Sequence, residues 1–298
     1  MLANRHVKHL ERHPLEIALL VLLAVLYVPL LLHWVDGWLN KSISIQHEYF
    51  SHGLIGLPFA AYITWEKRQQ WQQLTSQMHP VGLILMGMAA VFYLSGLSDW
   101  MNFSLPLLLT GICVVLKGWP GLRLQAFPLL LVALATPSQL PYLIEPYILP
   151  LQRFIAGAAG FLLIQFGIDV DVNQIYLLVN EQPVEVAPHC AGLKMLFTSL
   201  YVGLMLLYWT GVWRSRLQTG IFLSATVALS VVGNIVRNTL LSFFHGTGQR
   251  GAFEWLHDSW GGDIYSAIML FLLVVLIRAI QQYVPPTLAL QIDHDSNV

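Results

Sequence analysis

Charge is what this sequence has least of: 15 Lys and Arg and 16 Asp and Glu in 298 residues, 10% in all, for a formal net charge of −1. The few basic residues are scattered, so there is no positive patch or stripe, and nucleic-acid binding is excluded as a function class. Cysteine is almost as scarce. Two of them, Cys113 and Cys190, cannot build a disulfide framework, and Cys113 lies inside an apolar run where it reads as a small buried hydrophobe. Internal repeats and a G-x-S-x-G nucleophile elbow are also missing, which argues against a solenoid and against an α/β serine hydrolase. His47 and His52 in "HEYFSH" are five apart, about 140° around a helix, so the His-Glu-x-x-His zinc pattern is absent and no metal or other cofactor is expected.

What is present in quantity is apolar side chain: 56% of residues, with mean hydropathy +0.62. The apolar runs are too long for a soluble core and predict an all-α integral membrane protein, one polytopic domain over residues 1–298. Spans are expected at 15–35, 51–66, 81–98, 104–117, 122–136, 191–211, 218–243 and 262–284, about eight in number. The first follows Arg5, Lys8 and Arg12 and lacks a small-residue cleavage site, so it reads as a membrane helix, a cleaved signal peptide being the alternative. Trp34, Trp38, Trp65, Trp100 and Trp209 fall near span ends, as an aromatic belt would place them.

A ninth apolar stretch, Leu149 to Phe166, carries Pro150, Gln152, Arg153, Gly157, Gly160 and Gln165 and is ambiguous by hydropathy. Loop charge resolves it. The N-terminal basic residues, Glu66-Lys67-Arg68, the Lys117/Arg123 pair and Arg214/Arg216 all belong in the cytoplasm by the positive-inside rule. That assignment holds only if Leu149 to Phe166 does not cross, which makes it an interfacial or re-entrant helix. The segment "GIDVDVNQIYLLVNEQPVEVA" after it alternates apolar and polar residues around an Asn-Glu-Gln-Pro turn and predicts a small extracytoplasmic β-hairpin. Residues 149–189 thus form a helix-plus-hairpin insert, and 190–284 carry the helices that hold the candidate chemistry.

The same topology brings Cys190, Arg237 and His257 to one outer membrane face. "VEVAPHCAGLKML" sets Cys190 where a strand-like segment gives way to an apolar helix. Pro188 suits the first turn of that helix, so Cys190 is expected at its N-terminus, where free N–H groups and the helix dipole favour a thiolate. Lys194, four residues on and on the same face of such a helix, would add positive potential. Arg237 lies within a span, where a charge costs about 2.5 to 3.5 kcal/mol on insertion scales and needs a partner or a task. Asn234, one turn earlier, is expected to fix the guanidinium, with a structural pair to Asp99 or Glu145, or outward snorkelling, as the alternative. His257 is the best-placed proton carrier, with Asp258 as a candidate to orient it and His189 and His245 as rival bases.

"VAPHCAGLKML", "GNIVRNTLL" and "HDSWGG", in that order and near those spacings, resemble the exosortase/archaeosortase family of membrane-embedded cysteine transpeptidases. With "HEYFSHGLIGLPFAAYI", the chain looks most like the cyanobacterial branch, the cyanoexosortases of B type. The resemblance covers most of the chain and is most specific from Pro150 to Gly262. It implies a catalytic Cys190, Arg237 and His257, with His47 and His52 bordering the site. It also implies substrates that are exported proteins with a Pro-Glu-Pro motif ahead of a membrane helix and basic tail, the PEP-CTERM sorting signal. The implied thiol protease or transpeptidase would be a multi-pass protein of the cell inner membrane, with its site on the periplasmic side. Its partners would be the sorting-signal helix, membrane lipids and an acceptor nucleophile. The family would normally show Ala-Cys-Ser-Gly where this chain has His189-Cys190-Ala191-Gly192, so any task of that Ser is not carried over. Two non-catalytic readings compete: a transporter or lipid-handling protein in which Arg237 binds an anionic headgroup, and a scaffold subunit for exopolysaccharide export.

Overall fold

A computed structural model describes residues 14–39, 49–186, 192–257 and 259–285. Asp258, His189, Cys190, His47 and the tested position of Pro188 therefore lie outside the described residues. Among the described residues five helices are long and apolar enough to cross a membrane, and the protein is a multi-pass membrane protein. The chain forms two compact units, residues 1–138 and 139–298.

In the first unit, α1 (Pro14–Leu39), α2 (Gly53–Glu66), a short α3 (Arg68–Gln73), α4 (Pro80–Leu94) and α5 (Ser98–Ala135) follow one another. Helix α4 starts where Pro80 has no N–H to lose and the His79 ring accepts from Val81 N–H at 3.3 Å. The expected spans 104–117 and 122–136 are the two arms of α5, interrupted at Gly118, whose φ of 62° and ψ of −155° are not helical. The arms fold back on each other, because Asn102 Nδ2 donates to the carbonyl of Pro137 at 3.0 Å across 35 residues. Asn102 Oδ1 also accepts from Trp34 Nε1 at 2.7 Å, and Tyr27 and Ser104 hydroxyls lie 3.0 Å apart. These bonds satisfy polar groups that lipid cannot. Helix α4 lies against the first arm with no room to spare: a Cβ on Gly82 would sit 2.6 Å from Val115 and 2.8 Å from the Gly111 carbonyl. Small residues at such a contact let the helices approach closely. Along the second arm, Lys67 Nζ donates to the Leu124 carbonyl at 2.9 Å and the His52 ring nitrogen lies 3.2 Å from the Leu134 carbonyl, so α2 runs antiparallel to it. The aromatic-belt expectation fails for Trp34 and Trp38, which are 0% and 5% exposed, since both pack inside this unit; Trp65, Trp100 and Trp209 do face outward.

The second unit begins with α6 (Leu140–Ile144), a 3-10 turn (Glu145–Tyr147) and α7 (Leu149–Gln165). Three strands follow: β1 (Val170–Asn173), β2 (Tyr176–Val179) and β3 (Gln182–Glu185). Then come α8 (Leu193–Thr210), a 3-10 turn (Val212–Arg214), α9 (Arg216–Gly246), α10 (Arg250–His257) and α11 (Trp260–Tyr283). The expected hairpin is thus a three-stranded antiparallel meander in the order β1-β2-β3. Its second turn is the Asn-Glu step read from sequence, with Asn180 and Glu181 at φ 46° and 67°. The first turn went unread because its two central residues are Gln174, at φ 58°, and Ile175, neither of them a usual turn residue. Pro183 sits in the edge strand β3, where a missing N–H is tolerated.

The sheet is seated on the side of α7. Gln152 Nε2 donates to the Val186 carbonyl at 2.9 Å, and two turns further on Gly160 contacts Val172 and Leu177. The far end of the sheet rests on the last turn of α9, where Gly246 meets Val179 and its carbonyl accepts from Asn180 Nδ2 at 3.1 Å. At the opposite end of α9, Leu207, Val212, Phe222, Ile277 and Ile280 form the apolar core joining α8, α9 and α11. Between those ends a buried polar stripe runs at every fourth residue of α9: Thr226, Ser230, Asn234, Asn238 and Ser242.

Candidate functional site

The C-terminal half of α9 carries Asn234 and Arg237 on one face, and other elements of the second unit reach it. Helix α8 reaches it first. Its cap is Gly192, at φ 81° and ψ 11°, and a Cβ built there would lie 2.5 Å from Cγ and 2.8 Å from Nδ2 of Asn234. Only glycine meets both demands, a left-handed backbone and contact with a neighbouring side chain. The helix as described starts at Leu193, with the left-handed Gly192 as its cap; Pro188 and Cys190, on which the expected relation to Lys194 rests, lie outside the described residues. Lys194 occupies the second helical position of α8, part-buried near the N-terminal end of the dipole.

From the other side come α10 and α11. A Cβ on Gly262 would lie 3.9 Å from Arg237 Nη2 and 3.1 Å from the carbonyl oxygen of Leu256, so the guanidinium and the residue preceding His257 flank the same glycine. The His257 ring stacks on Phe253 with centroids 5.1 Å apart and planes 10° apart, and Phe253 in turn contacts the His245 ring at 5.5 Å. This stacking fixes the plane of the imidazole without using its nitrogens. The Tyr265 hydroxyl donates to the Gly233 carbonyl and ties α11 to α9 immediately before Asn234.

Among the described residues neither Nδ2 nor Oδ1 of Asn234 has a hydrogen-bond partner, and Arg237 Nε is likewise buried without one, so no bond joins the carboxamide to Nε. In the second unit Gly192 meets Asn234 and Gly262 lies beside Arg237, while His52 is buried in the first unit, its ring against the Leu134 carbonyl. No group of three or more metal-ligating side chains occurs among the described residues. The polar stripe of α9 was missed because Asn234 and Arg237 were weighed singly. The signal was there to find, since Thr226, Ser230, Asn234, Asn238 and Ser242 repeat at intervals of four in an otherwise apolar span.

A set of apolar helices long enough to cross a membrane, one of them carrying a buried polar stripe with Asn234 and Arg237, defines the class as a multi-pass membrane protein. A profile of the transmembrane exosortase family matches residues 38–274, about four-fifths of the chain, and the chain belongs to that family. No curated protein and no solved structure matches it.

The Gly192 contact gives a direct prediction. Gly192→Ala and Gly192→Asn should both lower the thermal midpoint in detergent and both lose activity, because each adds a Cβ on top of Asn234. The backbone penalty alone is about 1 to 2 kcal/mol for Ala and smaller for Asn, which tolerates positive φ. A Gly192→Asn protein melting like the wild type would show that space around Asn234 is not the constraint.

Proposed function

We propose that this exosortase-family protein is a cysteine transpeptidase or protease that acts on the C-terminal sorting signals of exported proteins at the outer face of the inner membrane. The observation that carries the reading is the Gly192 contact. Gly192 lies on Asn234, one helical turn from Arg237, and two residues of chain span at most about 7 Å, which ties Cys190 to the same neighbourhood. Cys190 attacks, as thiolate, the carbonyl carbon of a peptide bond ahead of the substrate's membrane anchor. The carbonyl π pair moves to oxygen, held by Arg237. When the C=O reforms, the C–N bond breaks and the amine leaves with a proton supplied by His257. An acceptor nucleophile, or water, then displaces the sulfur from the thioester. The expected substrate signal is a Pro-Glu-Pro motif followed by an apolar helix. The exposed edge of β3, which runs directly into the Cys190 segment, suits an extended substrate strand.

The topology we propose has cytoplasmic termini, about eight crossings and α7 lying in the outer interface. A helix whose side is occupied by a polar sheet from Gln152 to Gly160 has no lipid-facing surface there, which supports this placement. Cysteines introduced at positions 180 and 215 of a Cys-free protein test it. An impermeant thiol reagent added outside should label position 180 in intact cells and position 215 only after permeabilisation; labelling of 180 from the cytoplasm alone overturns both the topology and the external site. The activity itself is tested by intact mass of a candidate substrate with and without the protein. An unchanged mass in the presence of active, folded protein would rule the reading out.

A further inference from the structure

Asn234 is the anomaly of the polar stripe. It is 1% exposed, and among the described residues neither end of its carboxamide has a partner. Its neighbours do not share this condition. Thr226 Oγ1 donates to the Phe222 carbonyl at 2.8 Å, Asn238 Nδ2 to the Asn234 carbonyl at 2.9 Å and Thr239 Oγ1 to the Ile235 carbonyl at 2.8 Å. An unpaired buried polar group costs about 1 to 3 kcal/mol, and a Leu of similar size would avoid that cost, so packing does not account for an Asn here. One turn away on the same face, Arg237 Nε is a second buried donor without a partner. Two idle donors, one neutral and one cationic, therefore stand side by side, with the Gly192 turn pressed against the first and Gly262 beside the guanidinium.

We infer that Asn234 is a catalytic residue: its Nδ2 donates, beside the Arg237 guanidinium, to the oxygen that becomes negative when the Cys190 thiolate adds to the substrate carbonyl. This rests on the proposed activity and adds a second donor to it. The carboxamide does not titrate and moves no proton. It gains a partner only as the carbonyl oxygen acquires charge, in surroundings where solvent is excluded and a fixed dipole acts strongly. An unpaired group in the resting protein is what such preorganisation looks like, and stability is the quantity given up for it.

The experiment uses the full chain in detergent and, as probe, a synthetic peptide with a Pro-Glu-Pro motif ahead of an apolar segment. Wild type, Asn234→Ala, Asn234→Leu and the Asn234→Ala/Arg237→Lys pair are compared for kcat, KM and thermal midpoint. We expect Asn234→Leu and Asn234→Ala to lower kcat by about 100-fold or more. KM should stay within about threefold, since ground-state binding is untouched. The Leu variant should melt no lower than wild type, because it removes two unpaired groups. In the double variant the losses should fall short of their product, as expected for two donors on one oxygen. If wild type cleaves but the Asn234 variants keep more than a third of kcat, or lose it only together with thermal stability, the inference is overturned and the proposed activity stands. If wild type neither cleaves nor transfers the peptide, both are overturned.

Discussion

Cys190→Ala is expected to abolish processing of a Pro-Glu-Pro substrate, by at least about 10,000-fold as when a covalent nucleophile is removed elsewhere, while Cys113→Ala should leave it at the wild-type level. The two thiols of this chain make the comparison an internal control. Cys113 is a free, part-buried thiol on the first arm of α5, in a different compact unit from Arg237 and His257. Cys190 stands two residues before the glycine that packs on Asn234. Both variants remove one sulfur atom, so a general effect on packing or insertion would touch both, and Cys113 more, since it is surrounded by helix. Processing is read as the fraction of substrate shifted in mass at matched expression. Equal activity of the two variants would strike Cys190 from the mechanism.

Arg237→Lys should be nearly as damaging as Arg237→Ala, each losing about 100-fold or more in initial rate. Lys keeps the positive charge, so membrane orientation, snorkelling or diffuse attraction of an anionic headgroup would survive the exchange. Holding one oxygen would not, because that depends on planar donors in a fixed fork, and an ammonium is a compact, more strongly hydrated point charge. The setting sharpens the distinction: Nη2 is already placed beside Gly262, and Nε is buried with no partner, so the guanidinium has little freedom to be imitated by a flexible chain. A Lys variant running above about a third of the wild-type rate would move Arg237 to a structural task and favour the non-catalytic reading in which it binds a lipid headgroup.

Sequence reached the helices of the first unit closely, because membrane helices announce themselves by length and hydropathy. The reversal of α5 at Gly118 falls between Lys117 and Arg123, where the charge pattern required a cytoplasmic end. What it misjudged has one physical origin. A single chain reveals which residues are polar but not which of them meet. Trp34 read as an interface anchor because nothing along the chain joins it to Asn102, 68 residues away. The left-handed conformation of Gly192 at the start of α8 could not be read along the chain either, because it goes with the approach of Asn234 from another helix. Gly262, at the α10–α11 junction, lies beside the Arg237 guanidinium, a proximity that no spacing along the chain states.

The turn at Gly118 also bears on how the protein is made. A reversal formed around one glycine, with helix on both sides, leaves no hydrophilic linker to hold the two arms of α5 apart during synthesis. The first arm carries Asn102, whose Nδ2 finds its acceptor at Pro137, so that arm would enter the bilayer with this donor unsatisfied until 35 more residues had left the ribosome, even with Oδ1 already held by Trp34. The arms are therefore expected to leave the insertion machinery as a pair, with the translocon retaining the first until the second arrives.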